Sequence, residues 1–202
     1  TITVISLPQL GTLQFSDGSA VGLGSVISTG ELLNLRYLAP DEYRSGEPVG
    51  TFDYVVADDQ GGISSAQVTL SVIPVNDAPT ADSGVLTVLE ESLGTPLRLA
   101  LGVNPDGSTH PLALPGDVDG DPLTITISAL PTLGVITLFD GSQAFLGQGL
   151  TLDQLYAIRY DAPTDYNGVD LVGEFGYRVD DGQGLANSVS VGTISLVVQP
   201  IN

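Results

Sequence analysis

Apolar and polar residues alternate in short runs along most of this chain. Stretches rich in Val, Ile, Leu, Thr and Tyr are cut every few residues by Gly, Pro, Asn or Asp. That rhythm sets successive side chains on opposite faces of an extended backbone, with turn formers between, and so predicts strands. In the second half the runs fall near residues 85–89, 97–103, 123–128, 134–139, 158–160, 174–179 and 189–198. Seven is the strand count of an immunoglobulin-like sandwich. Residues 104–116 read as a loop. Only residues 29–35 and their counterpart 152–158 suit a helical turn, and no long helical period occurs. The predicted fold class is all-β.

The chain also repeats itself. Thr1-Ile2-Thr3 returns as Thr124-Ile125-Thr126, a shift of about 123 positions, and Leu10-Gly11 returns as Leu133-Gly134. Arg36-Tyr37 and Ala39-Pro40 return as Arg159-Tyr160 and Ala162-Pro163. Phe52 and Tyr54 return as Phe175 and Tyr177, and Asp58, Gln60 and Gly61 as Asp181, Gln183 and Gly184. So many matches in one register predict two modules, residues 1–76 and 77–202, joined at Pro74-Val75-Asn76-Asp77-Ala78-Pro79, a short stiff linker. The repeated apolar and aromatic positions are core. The tyrosines alternate within strands and no Trp accompanies them, which favours core over a sugar-stacking platform. The first copy begins at the third strand of the second. Residues 1–76 are therefore expected to hold five strands, to lack the first two, and to be less stable or to borrow a strand.

The balance of 24 acidic against 5 basic residues gives a formal net charge of -19. It argues against nucleic-acid phosphates and anionic membranes as partners. A hydrophobic fraction of 42% still permits a packed core, so the acidity does not signal disorder. With no Cys there is neither disulfide nor thiol chemistry. No signal peptide or apolar run of membrane-spanning length is present, so the sequence reads as a soluble piece cut from something longer.

Three carboxylates at alternate positions stand in Asp117-Val118-Asp119-Gly120-Asp121, with a glycine where the chain turns. In an extended segment alternate side chains point the same way. Three like charges there call for a cation, and hard oxygens at this density suit Ca2+. A solvated acidic turn is the plainer alternative. The EF-hand pattern fails, because Pro122 and Ser128 stand where Gly and Glu are required. Asp59-Gln60-Gly61-Gly62 and Asp180-Asp181-Gly182 read equally as hairpin turns. His110 is the only histidine and no Gly-x-Ser-x-Gly elbow exists, which leaves no Ser-His-Asp site and no zinc ligand set. The chain is read as a non-enzyme.

Taken together, Asn76-Asp77-Ala78-Pro79, Asp117-Val118-Asp119-Gly120-Asp121-Pro122-Leu123, Ala162-Pro163-Thr164-Asp165-Tyr166-Asn167-Gly168 and Phe175-Gly176-Tyr177-Arg178-Val179-Asp180-Asp181-Gly182 resemble the bacterial cadherin-like modules of large calcium-dependent surface adhesins. The resemblance covers residues 77–202 well and 1–76 in part. It implies tandem Greek-key sandwiches set end to end, with one to three Ca2+ where modules meet. Carried onto this chain, Asp117, Asp119 and Asp181 look like ligands from the second module. Asn76 and Asp77 look like linker ligands, and Glu90 or Glu91 like the acid of the first strand. Glu47, or Asp41 and Glu42, would close the site from the first module, and Asp121 completes the acidic loop. The implied function is a calcium-rigidified spacer or adhesive repeat on a bacterial surface or outside the cell. Its partners are neighbouring modules. Rival readings are a module that itself binds polysaccharide or a like module, and a non-catalytic appendage of a secreted hydrolase.

Overall fold

The computed structural model describes residues 1–41, 43, 47–168 and 171–201. The alternating runs become strands, and the repeat in sequence becomes a repeat in topology. The chain divides into two compact units, Thr1–Val75 and Asn76–Asn202.

In the first unit β1 (Ile2–Val4), β3 (Val26–Ile27), β5 (Thr51–Ala57) and β6 (Ile63–Thr69) form one sheet in the order β3-β1-β5-β6. A second sheet pairs β2 (Thr12–Gln14) with β4 (Arg36–Leu38). The core between them holds Ile2, Val4, Leu13, Val21, Ile27 and Phe52. The expected helical turn is α1 (Thr29–Leu33). It is started by a capping box in which Ser28 and Glu31 satisfy each other's backbone N–H.

The second unit repeats this plan and adds to it. Its counterparts are β11 (Thr124–Ala129), β12 (Val135–Thr137), β13 (Gly149–Leu150), α2 (Leu152–Ala157), β14 (Arg159–Asp161), β15 (Leu171–Asp180) and β16 (Val189–Gln199). Ahead of them come β7 (Gly84–Leu89), β8 (Thr95–Pro96), β9 (Leu101–Val103) and β10 (Thr109–Pro111). The larger sheet runs β10-β9-β7-β16-β15-β11-β13 and the smaller β12-β14-β8. β7 lies parallel to β16, with Gly84 beside Ile194 and Leu89 beside Gln199, while its other neighbour, β9, is antiparallel. This is the two-layer packing of a sandwich, with Ile127, Ile158, Tyr160, Phe175, Val179 and Leu196 at its centre.

Two details of the expected element list change. Residues 97–103 are not one strand. Pro96 fixes the backbone, Leu97–Leu99 make a 3-10 turn that buries Leu97, and only Leu101–Val103 pair. The loop 104–116 contains a hairpin, closed where Asn104 N–H donates to the Ser108 carbonyl and Ser108 N–H to the Asp106 carboxylate. With the short strands β8 and β13 as well, the described residues of the second unit hold ten strands in place of seven, and those of the first unit hold six in place of five. His110 stands on β10 instead of in an open loop, with Nδ1 3.5 Å from an Asp82 carboxylate oxygen.

The repeated Leu-Gly and Arg-Tyr pairs explain each other. Tyr160 Oη donates to the Leu133 carbonyl at 3.0 Å, and Tyr37 Oη to the Leu10 carbonyl at 2.9 Å. The next residue is Gly134 or Gly11, at φ +76° or +72°, and a Cβ there would strike the tyrosine ring. Glycine lets the backbone close over the ring at a dihedral that L-residues avoid. Tyr160 is fully buried, and burial first, then the nearness of Tyr166, pushes its phenol up to about 12. Burial also pushes Tyr177 up to about 12, and its hydroxyl donates to the Asp82 carbonyl at 2.8 Å. Both phenols stay neutral in the fold, so their contribution to stability is complete below the unfolded value of ~10 and is lost as pH rises towards ~12. An alkaline titration should show the tyrosinate absorbance of these residues appearing together with loss of the second unit's β signal. Ionisation at pH ~10 without unfolding would contradict the buried hydrogen-bonded placement.

Candidate metal centre

The acidic loop is held at the end of the second unit where the chain comes in. Thr80 N–H donates to the Gly116 carbonyl at 2.7 Å, and Gly116 N–H returns a bond to the Thr80 hydroxyl at 3.0 Å. Past this clamp, residues 117–121 do not run extended as the alternation suggested. The chain bends at Val118 and Asp119, and Gly120 takes φ +81°. Asp121 N–H then donates back to Asp117 Oδ1 at 3.2 Å. The fold-back brings one ligand oxygen from each of Asp117, Asp119 and Asp121 within 4.8 Å of one another. Among the described residues this is the only grouping of three or more possible ligands.

Two observations bear on whether a cation would sit there. Asp117 Oδ2 is buried and has no hydrogen-bond partner. A buried carboxylate oxygen without a donor is costly, and a cation would relieve it. Arg178, on β15, is paired with Asp180 at 2.5 Å.

The incoming segment is tied to the same acids. Asp77 N–H donates to Asp119 Oδ2 at 2.7 Å, and Asn76 Nδ2 to Asp181 Oδ2 at 2.9 Å. The Asn76 carbonyl accepts from Asn187 Nδ2. Asp181 is only 2% exposed, at the end of β15, and its Oδ1 accepts from Gln183 N–H at 2.8 Å. Burial pushes its carboxyl up, but the hydrogen bonds from Asn76, Gln183 and Ser188 outweigh that and hold it below the usual range. Asp181 is therefore ionised and ordered. It lies outside the three-carboxylate cluster and connects to it through Asn76 and Asp77.

Two of the other expected ligands lie elsewhere in the second unit. Glu90 and Glu91 do not join this end. β7 runs parallel to β16, so Leu89 ends beside Gln199, whereas Asp180 lies beside Val189. Ten residue steps along β16 separate those points, roughly 33 Å at 3.3 Å per residue. At that far end Glu90 is buried, and its two oxygens accept from the N–H groups of Tyr166 and Ile201, each at 2.6 Å. Glu91 is exposed at φ +63°, and its N–H donates to the Pro163 carbonyl. Glu47 and Asp41 are exposed in the first unit, and Glu42 falls outside the described residues. Asn187 and Ser188 were not foreseen; the signal was an Asn-Ser pair closing the turn that Asp180-Asp181 opens.

Residues 76–194 match the family described as the bacterial Ig domain, well over half of the chain. The chain belongs to the bacterial Ig domain family. No curated protein matches it. Among solved structures, this bacterial Ig domain chain is similar to the cadherin-like domains 1 to 4 of zebrafish RET, at 12% identity and a TM-score of 0.39. That likeness covers 100% of this chain, which spans 41% of the RET chain. The matched stretch begins at Asn76, so the residues that reach the acidic cluster lie inside the Ig domain itself.

The donor set decides which ion fits. Carboxylates and carbonyls are hard oxygens, suited to Ca2+ with its six to eight loosely arranged ligands. With no His or Cys at the cluster, the nitrogen and sulfur ligands that zinc sites use are missing.

Proposed function

We propose that this chain is a calcium-binding structural repeat of a large secreted or surface-exposed bacterial protein, and that it is non-catalytic. The observation that carries this is the convergence of Asp117, Asp119 and Asp121, one of which, Asp117, also has a buried oxygen without a donor. Asp77 is hydrogen-bonded to Asp119, so an ion there would also fix the segment by which the chain joins the second unit. Such a module works as a spacer whose joint to its neighbour stiffens when calcium is bound. Its partners are adjacent repeats of the same polypeptide. Extracellular calcium is millimolar, so a site of ~10⁻⁵ M would fill outside the cell and stay empty in the cytosol. An ion at about a hundred times its dissociation constant contributes roughly 2.7 kcal/mol to the folded state. Titration calorimetry, with melting scans in calcium and in chelator, tests this. Binding near 10⁻⁵ M with a raised second-unit melting temperature is the expected result. No heat of binding and identical melts would reduce the cluster to a solvated turn.

A further inference from the structure

We infer that the second unit carries a binding site for an anionic sugar, a uronic-acid ring of an acidic polysaccharide, in the groove where Arg98 and Arg159 meet Tyr156 and Phe139. The groove has a volume of about 170 Å³ and is completed by Pro96 and Ala157. Pro96 and Arg159 face each other across β8 and β14, and Tyr156 lies on α2. Phe139 stands in the turn that follows β12. Two of the five basic residues in a chain of net charge -19 thus share one groove. Among the described residues neither guanidinium forms an ion pair. Asp140, beside Phe139, is occupied by the N–H and hydroxyl of Ser142. Asp161, two residues past Arg159, accepts from Gly94 N–H at 2.5 Å. Arg159 is oriented by the bond from its Nη1 to the Gly94 carbonyl at 3.2 Å. Arg98 lies over the Tyr156 ring, 4.8 Å from its centroid. A guanidinium stacked on a ring keeps its in-plane donors free, and that fork matches one carboxylate.

The aromatic rings are not there for the core. Phe139 is 76% exposed and Tyr156 49%. The repeat supplies an internal control, because the same turn and the same helical position of the first unit carry Ser16 and Leu33. The plan of the fold therefore does not require these rings, and exposed apolar surface of this kind marks a contact site. A sugar ring presents a C–H face that lies flat on an aromatic ring, and a uronate adds one carboxylate to it. The space is well below the roughly 300–1,000 Å³ of a pocket for drug-sized ligands, and suits a single ring. The acidic surface repels a densely charged polyanion such as a nucleic acid. An acidic peptide holds its carboxylates on flexible chains, with no ring to match Phe139 and Tyr156. The proposal is independent of the calcium reading, since it uses no residue of the acidic loop.

The test titrates the 202-residue protein with an oligogalacturonate and follows its amide NMR signals, first in calcium and then in chelator. Saturable shifts at residues 96–98, 139 and 156–159 are expected in both solutions, with affinity falling as salt is raised. A neutral galactose oligomer should not bind. Arg98→Gln should weaken uronate binding roughly tenfold or more, as loss of a charge-assisted hydrogen bond implies. Phe139→Ser, which installs the residue of the first unit, should weaken it as well. Both side chains are exposed, so melting without sugar should stay as in the wild type. No saturable shift in the wild type overturns the proposal, as does undiminished affinity in Arg98→Gln. Equal binding of the neutral oligomer removes the arginines from the site and overturns it too. Binding that vanishes in chelator would put the uronate on calcium at the acidic loop instead of in the groove. An equal response to an oligo-aspartate would make the partner an acidic peptide and overturn the sugar.

Discussion

Replacing Asp119 with asparagine should weaken calcium binding at least tenfold, the equivalent of about 1.4 kcal/mol. The amide keeps the size of the side chain and can still accept the Asp77 N–H bond that Asp119 Oδ2 accepts at 2.7 Å. What it removes is one charge and one carboxylate oxygen. Without metal, two carboxylates about 5 Å apart repel by roughly 3 kcal/mol at the effective dielectric of a protein surface, less whatever salt screens. Asp119→Asn relieves part of that, so in chelator the variant should melt at or slightly above the wild type. In calcium the order reverses, and the wild type melts higher. The crossing of the two curves is the signature, because a merely structural role for Asp119 would lower stability in both solutions. Identical melts in calcium would show that no ion uses this carboxylate.

Gly134→Ala should destabilise the second unit by about 2–4 kcal/mol, the sum of two penalties. An L-residue at φ +76° carries backbone strain on the order of 1 kcal/mol or more. The added Cβ would also lie 2.5 Å from the Tyr160 ring and 2.6 Å from the Asp161 carbonyl oxygen, and overpacking of this kind costs about 1–3 kcal/mol. Gly141 separates the two contributions. It has φ +83°, and a Cβ added there would meet nothing within 4 Å, so Gly141→Ala should cost only the dihedral part. Chemical denaturation of both variants gives the comparison. Equal losses at the two sites would mean that the Tyr160 contact yields without resistance.

Much of this architecture can be read from the residues. Strand periodicity, the repeat and both helical turns follow from local pattern, since Ser28/Glu31 and Thr151/Gln154 are capping pairs at fixed spacing. The clustering of Asp117, Asp119 and Asp121 is legible because all three lie within one turn. The error over Glu90 has a different origin. It lies only fourteen positions after Asn76, yet β7 carries it the length of the sheet, and strand direction is a tertiary property that no local pattern records. The β9-β10 hairpin escapes for a related reason. Leu101 and Val103 are exposed, so their alternation reflects no burial. Asn187 reaches Asn76 across more than a hundred residues, a contact that only the folded sheet makes possible.

The parallel alignment of β7 with β16 also determines how the second unit meets mechanical load. The polypeptide comes in at one end through β7 and leaves at the other through β16, with six residue pairs side by side from Gly84–Ile194 to Leu89–Gln199. Tension along the chain pulls these strands past each other, lengthwise. The hydrogen bonds between them are then loaded in shear and must fail together, whereas strands pulled apart from one end unzip a bond at a time. A module wired in this way resists stretching through its backbone alone, and the proposed cation, by fixing Asp119 and the Asp77 N–H bonded to it, would add a second fastening in the same line of force.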